Sequence, residues 1–181
     1  MNRMSSLVLT AALLAPGAVA AQDTASSAQV KRGEYLVTIG SCHDCHTPLT
    51  IGPGGPEPDM KRALSGHPQD IVIKAQAPAS GPWMAVASST LTAWSGPWGV
   101  SFSANLTPDP ETGVLRDFTE QQFVQTLRTG RHQGQGRQIL PPMPWPFIGQ
   151  MTDDDLKAVF AYLRQIPAVR NRVPDPVPPA Q

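Results

Sequence analysis

Five consecutive residues, Cys42-His43-Asp44-Cys45-His46, carry the chain's most specific chemistry. Two thiols separated by two residues and followed at once by an imidazole form Cys-x-x-Cys-His, the attachment signature of a c-type haem. On a short helical turn, Cys42 and Cys45 can both add across the vinyl groups of one porphyrin, leaving two thioethers. His46 then sits under the ring as proximal ligand to the iron. A structural zinc site would need four ligands, usually with a second Cys/His pair, and the chain has only 2 cysteines. A thioredoxin-like pair belongs at a strand-to-helix turn of an α/β unit, a pattern missing around Cys42. A disulfide after export would leave His46 unexplained. His43, between the cysteines, reads as a solvent-facing filler.

The sixth ligand has several candidates. Met1 and Met4 fall in a leader, and Met151 suits a hydrophobic staple with Leu156. Met60, Met84 and Met143 remain, with His67 and His132 as nitrogen alternatives and an open position as another. Met143 fits best. The prolines of Pro141-Pro142-Met143-Pro144-Trp145-Pro146 hold it on a stiff, extended backbone. Its spacing is not that of a helix stripe, so its use as core filler is the weaker reading. Arg128 and Arg131 are candidates for the haem propionates, because a guanidinium matches a carboxylate with two parallel hydrogen bonds.

Helices must position these groups. Ser26 and Gln29 have capping-box spacing ahead of a first helix over about 28–40, in which Gly33, Leu36, Val37 and Gly40 share one face. Thr119 and Gln122 repeat that spacing for a second helix, which Gly130 stops. Thr152 caps a third, with Asp153, Asp154 and Asp155 complementing its N-terminal dipole. Leu156, Val159, Phe160 and Leu163 form its apolar stripe, expected to pack on the first helix at Gly33.

Between the haem motif and the second helix the pattern weakens. Thr50 to Pro58 reads as a Gly/Pro-rich loop and Asp70 to Lys74 as a short strand. Met84 to Ala93 and Gly99 to Ala104 suggest a hairpin. We read about 50–104 as an insertion, partly β or irregular, folded over one haem edge, with Trp83, Trp94 and Trp98 as cover. Asp109 and Glu111 sit in a turn-rich loop too sparse in ligands for a Ca²⁺ site. The fold expected is all-α around one covalent haem, with this insertion attached.

Composition and ends bound the rest. Formal net charge is zero, which gives no basic footprint for nucleic acid. Arg3, the apolar Leu7 to Ala15 and Ala18-Val19-Ala20 read as a signal peptide over 1–21, cleaved near Ala20 or Ala21. The apolar run is shorter than a membrane span. A single domain is expected over 22–170, followed by a Pro-rich tail over 171–181. The mature chain is expected in the periplasm without a transmembrane anchor.

The chain resembles the class I cytochrome c superfamily. It is most similar there to the cytochrome c modules of bacterial periplasmic dehydrogenase systems, such as the cytochrome subunits of alcohol and gluconate dehydrogenases. Arg32 to Leu36, Cys42 to His46, Asn105 to Asp109, Phe123 to Gly130, Pro142 to Trp145 and Met151 to Leu163 carry the likeness. It implies a mostly helical fold, His46 and Met143 as axial ligands, and single-electron transfer. The expected partners are redox proteins, with a periplasmic dehydrogenase as donor and an oxidase or another cytochrome as acceptor. Such subunits usually hold several haem modules and a membrane anchor, so one haem motif favours a free-standing carrier. The alternatives are a tightly bound dehydrogenase subunit, and a haem enzyme or gas sensor with a displaceable sixth ligand.

Overall fold

A computed structural model describes residues 25–74, 77 and 81–179. The leader expected over 1–21 lies outside the described residues. Five helices, α1 (Ser27–Ile39), α2 (Cys42–His46), α3 (Glu120–Thr129), α4 (Trp145–Ile148) and α5 (Asp153–Leu163), share the chain with five short strands.

The three long helices begin where the side chains dictate. Ser26 accepts from the Gln29 amide at 3.1 Å and opens α1. Thr119 and Gln122 form the complete reciprocal pair at the start of α3, satisfying two amides that the helix itself cannot. Thr152 caps α5 on the Asp155 amide. Gly130 takes φ 66° and ends α3, a conformation a side chain would strain.

Packing centres on α1 against α5. Gly33 makes that crossing possible: a β-carbon there would lie 2.0 Å from the Ala158 carbonyl oxygen and 2.7 Å from the Tyr162 β-carbon. The expected meeting of the first and last long helices at Gly33 is therefore seen, with Ala158 and Tyr162 as the immediate neighbours. Leu36, Val37, Phe123, Val124, Leu127, Leu156 and Leu163 fill the core around it. Arg32 adds a bidentate ion pair to Asp155, with Nε 2.8 Å and Nη2 3.1 Å from the two carboxylate oxygens.

The expectation of an all-α fold is corrected. Among the described residues, 33% are helical and 14% extended, in two small antiparallel sheets. Strands β1 (Leu49–Gly52) and β2 (Gly55–Pro58) form a hairpin where the sequence suggested a loop, with Leu49 opposite Pro58. Strands β3 (Val86–Ala87), β4 (Ala93–Gly96) and β5 (Gly99–Phe102) form the second sheet in that order. Of the hairpin expected between Met84–Ala93 and Gly99–Ala104, the second arm is present as β5, but its partner is Ala93–Gly96, and only Val86–Ala87 of the first arm is strand, paired to β4. Asp70 to Lys74 is turn and irregular chain. The physical reason lies in the backbone. The insertion buries Thr92, Ala93, Ser95, Val100 and Ser101, and buried amides and carbonyls must be paired. Cross-strand pairing does this within the insertion.

The Pro-rich tail finishes the sheet. Val177 exchanges two hydrogen bonds with Val100, at 2.8 and 3.0 Å, covering the free edge of β5. Gly99, at φ 92°, admits it: a β-carbon there would lie 2.0 Å from the Val177 carbonyl oxygen. Among the described residues no helix is long and apolar enough to cross a membrane.

Candidate functional site

The chain turns sharply out of α1 through Gly40 and Ser41, whose φ of 55° is left-handed. The next residues wind the single turn of α2. Cys42, Cys45 and His46 all face one cleft. Phe123 and Leu127 of α3 and Val159 and Leu163 of α5 line it from the helical side. Trp94 of β4 and Phe102 of β5 line it from the sheet side, and Ile139 to Met143 from the proline-rich loop. Counting its open mouth, the cleft holds ≈ 1160 Å³ of atom-free space.

His46 is oriented from behind. Its Nδ1 lies 2.8 Å from the Ala104 carbonyl oxygen. A carbonyl only accepts, so Nδ1 carries the proton and Nε2 keeps its lone pair. Burial pushes the His46 pKa below its ordinary value, with the Ala104 bond opposing, so the ring is held neutral. A carbonyl behind a ligating imidazole also fixes the ring's direction and raises its basicity. Nothing in the motif itself foretells Ala104. Asn105, next in the chain, anchors that carbonyl's position through bonds to the Val169 and Asn171 carbonyl oxygens, at 2.8 and 3.2 Å.

The backbone of α2 is pinned by the segment that follows it. Gly66 donates to the His46 carbonyl at 2.8 Å, and Leu64 donates to the Thr47 hydroxyl at 3.0 Å. His67 then donates from its amide to Ser103 at 3.0 Å, tying this segment to the strand side. His43 is half-buried, not free in solvent as expected, and its Nδ1 meets the Thr47 hydroxyl at 2.8 Å.

Burial pushes the Cys42 thiol up to about 11 and raises that of Cys45 too. Among the described residues no three His, Cys, Asp or Glu side chains converge as a metal-ion site. The donor set fits a covalently held tetrapyrrole instead: two thiols and a free imidazole nitrogen on one side of a large apolar cleft, with a thioether on its wall.

The candidates for that thioether separate cleanly. Met143 lines the cleft and packs on the core, whereas Met60 and Met84 are 63% and 70% exposed. His67 has both ring nitrogens engaged, Nδ1 with Thr92 at 2.9 Å and Nε2 with the Ile71 carbonyl at 2.8 Å. His132 lines the cleft with its ring edge-on to Phe118. Ser101 Oγ donates to the Pro141 carbonyl at 2.5 Å and fastens the Met143 loop to β5. Asp109 Oδ1 is taken up by the Glu111 and Thr112 amides and the Thr112 hydroxyl, so it closes a turn.

The arginines expected at the propionates are not brought to the cleft. Arg128 bonds the Gly149 carbonyl and Asp153, and Arg131 bonds the Gly136 carbonyl at 3.1 Å. Both sit where α3 ends, so nearby carbonyls and the start of α5 claim them first. Arg137 lines the cleft instead.

The class that this constellation defines, a c-type cytochrome module, agrees with the comparisons. The chain is 30% identical over 162 residues to the cytochrome c subunit of quinone-type alcohol dehydrogenase from Gluconobacter oxydans (strain 621H). That match covers 88% of this chain and 26% of the relative. It is 32% identical over 145 residues to the gluconate 2-dehydrogenase cytochrome c subunit of Pantoea cypripedii, covering 80% of this chain and 25% of the relative. The fructose dehydrogenase cytochrome subunit of Gluconobacter japonicus is 28% identical over 167 residues, 88% of this chain and 27% of the relative. No protein-family model matches. The likeness read from the motifs thus holds at about 30% identity over most of the chain, toward cytochrome c subunits of alcohol, gluconate and fructose dehydrogenases. The chain spans about a quarter of the length of these curated relatives.

Proposed function

We propose that this chain is an electron-transfer module of a dehydrogenase system, an electron carrier and not an enzyme in its own right. The observation that carries the reading is the meeting of Cys42, Cys45, His46 and Met143 on one apolar cleft. Haem c, attached through Cys42 and Cys45 and ligated by His46 and Met143, would supply one-electron Fe(III)/Fe(II) chemistry there. The chain's own residues do the rest. Ala104 holds His46 neutral with Nε2 available. Ser101 holds the loop that presents the Met143 thioether. Phe123, Leu127, Val159 and Leu163 keep water from one side of the cleft, which lowers the local dielectric. Two protein ligands would leave no open position for a substrate, and this weighs against the enzyme or gas-sensor reading.

The relatives named as dehydrogenase subunits favour membership of such a complex over a free-standing carrier. On this reading the donor is a catalytic dehydrogenase subunit, and the acceptor is another redox protein or an oxidase. The compartment is the periplasm, with residues 1–21 as the export signal and one domain over 22–170 followed by the tail.

A reduced-minus-oxidised spectrum with intact mass tests attachment and haem number together. The ferric protein should show a sulfur-to-iron charge-transfer band that Met143→Ala abolishes. Rapid carbon monoxide binding by the untreated ferrous protein would sink the His/Met assignment. Purification of the native protein with a catalytic subunit would separate subunit from mobile carrier.

A further inference from the structure

A second recess opens beside the cleft, and two of its three arginines differ from the other arginines among the described residues. It shares Phe102, Ala104, Val114, Arg137 and Pro176 with the cleft, and adds Arg116 and Arg172 from elements on either side. Among the described residues, only the guanidinium groups of Arg137 and Arg172 make no hydrogen bond or ion pair. Every other one is engaged. Arg128 and Arg131 are held as above, Arg116 pairs with Asp117 at 3.0 Å, and Arg170 pairs with Glu111 at 2.7 Å. Arg32, Arg62 and Arg164 bond Asp155, Asp59 and the Leu115 carbonyl.

The acids that face the recess are Glu111, already paired, and Asp175, which makes no ion pair. Two unpaired cations against one unpaired anion leave an excess of positive charge. It lies at the border of an otherwise apolar cleft, on the side reached by the Arg131–Gln138 turn and the tail. A tetrapyrrole has apolar faces and one edge bearing two carboxylates, so it needs such a border. Arg meets a carboxylate through paired, charge-assisted hydrogen bonds.

We propose that Arg137 and Arg172 bind the propionate carboxylates of the haem. This rests on the reading of Cys42, Cys45 and His46 as its attachment site. The role falls to two residues far apart in sequence, one just before the Met143 loop and one in the tail. The tail thereby becomes part of the site as well as cover for β5.

The test uses the holoprotein. Mass and a haemochrome spectrum of the wild type come first, since absence of covalent haem overturns the underlying reading and not this assignment alone. With haem present, the reduction potential is measured against pH by spectroelectrochemistry for Arg137→Gln, Arg172→Gln, Arg137→Lys and Arg131→Gln. An arginine at a propionate keeps it ionised and offsets its charge. Its removal leaves a nearby anion uncompensated, which favours the ferric state. Arg137→Gln should therefore lower the potential and add a pH-dependent step absent from the wild type. Arg137→Lys should recover most of the shift, Arg172→Gln should show a smaller version, and Arg131→Gln should superimpose on the wild type. His132, Glu111, Arg116 and Asp175 also face this region, so only a step present in the variant alone counts. If Arg137→Gln does not accumulate, Arg172→Gln carries the test. Potentials and pH profiles unchanged in the glutamine variants that accumulate, or a shift as large in Arg131→Gln, would overturn the assignment.

Discussion

The helical side and the strand side of the cleft are held together by different forces. On the helical side, α1, α3 and α5 close through apolar faces, and the closest approach is made by removing a side chain, at Gly33. On the strand side, the described residues between Pro48 and Ala104 are fixed largely by polar side chains reaching across the sequence. Asn171 donates to the Ser65 and His67 carbonyls at 2.7 and 2.8 Å and accepts from the Gln69 amide at 2.9 Å. Asn105 holds the tail from the other end. Apolar contact tolerates small shifts at little cost, whereas a buried amide satisfied by three bonds admits one geometry. The difference follows the tasks. The helices supply wall area, and the strand side supplies the Ala104 carbonyl that aims His46 and the Ser101 hydroxyl that holds the Met143 loop.

The largest effect is expected on the helical side. Valine at position 33 places atoms where Ala158 and Tyr162 already stand, so α1 and α5 must part. Overpacking of this kind costs ~3 kcal/mol or occasionally more. Gly33→Val should therefore lower the denaturant midpoint steeply, or prevent accumulation of the folded protein. On helix propensity alone, replacing a mid-helix glycine by alanine would stabilise by ~1 kcal/mol. Gly33→Ala should destabilise instead, and a rise in its unfolding midpoint would contradict the close packing.

A middle-sized effect is expected across the sheet. Asn171→Ala leaves the buried Ser65 and His67 carbonyls short of their donor, at ~1–3 kcal/mol for an orphaned group. The loss should be local first. Hydrogen exchange should quicken around 64–71 and 99–103 before it quickens in α1 and α5. Uniform loss of protection would mean that the two sides open as one unit and that the contrast drawn above has no dynamic counterpart.

The same contrast explains what was legible in the sequence. The helices announce themselves locally: Ser26, Thr119 with Gln122, and Thr152 mark starts, and the apolar spacing marks the inner face. Cys42, Cys45, His46 and Met143 are equally local, a motif and a rigid Pro-flanked residue. The strands are not. Thr50 to Pro58 reads as loop because glycine and proline dominate it, yet a turn at Pro53-Gly54 lets the two arms pair. The edge of β5 is completed by Val177, 77 residues after its partner Val100, and no short window of sequence contains both. Arg128 and Arg131 read as carboxylate partners because a guanidinium matches a carboxylate with two parallel hydrogen bonds. The fold instead engages them with Asp153, Gly149 and Gly136, partners that lie outside any local motif.

The smallest effect tests whether polar links matter equally on both sides. Arg32 and Asp155 join α1 to α5, but the pair lies at the surface, with 50% of the Arg32 side chain and 23% of the Asp155 side chain open to solvent. Water and salt screen such pairs. The Arg32 bond still holds the Asp155 carboxyl below its ordinary value. A carboxyl whose folded value is lowered contributes stability fully above its unfolded value of ~3.9. That contribution is lost as pH falls through the folded value. Asp155→Asn should then unfold slightly earlier than the wild type at neutral pH, with the gap closing below about pH 4 as the wild-type carboxyl takes up its proton. Added salt should narrow the neutral gap. Asp153 and Asp154 still complement the α5 dipole, but Asp155 belongs to the same acidic turn and its carboxylate also bonds Thr152, so the change reports the Arg32 link together with these smaller contributions. A gap as large as that of Asn171→Ala, or one that persists unchanged at low pH, would mean that the helical side also depends on a fixed polar geometry.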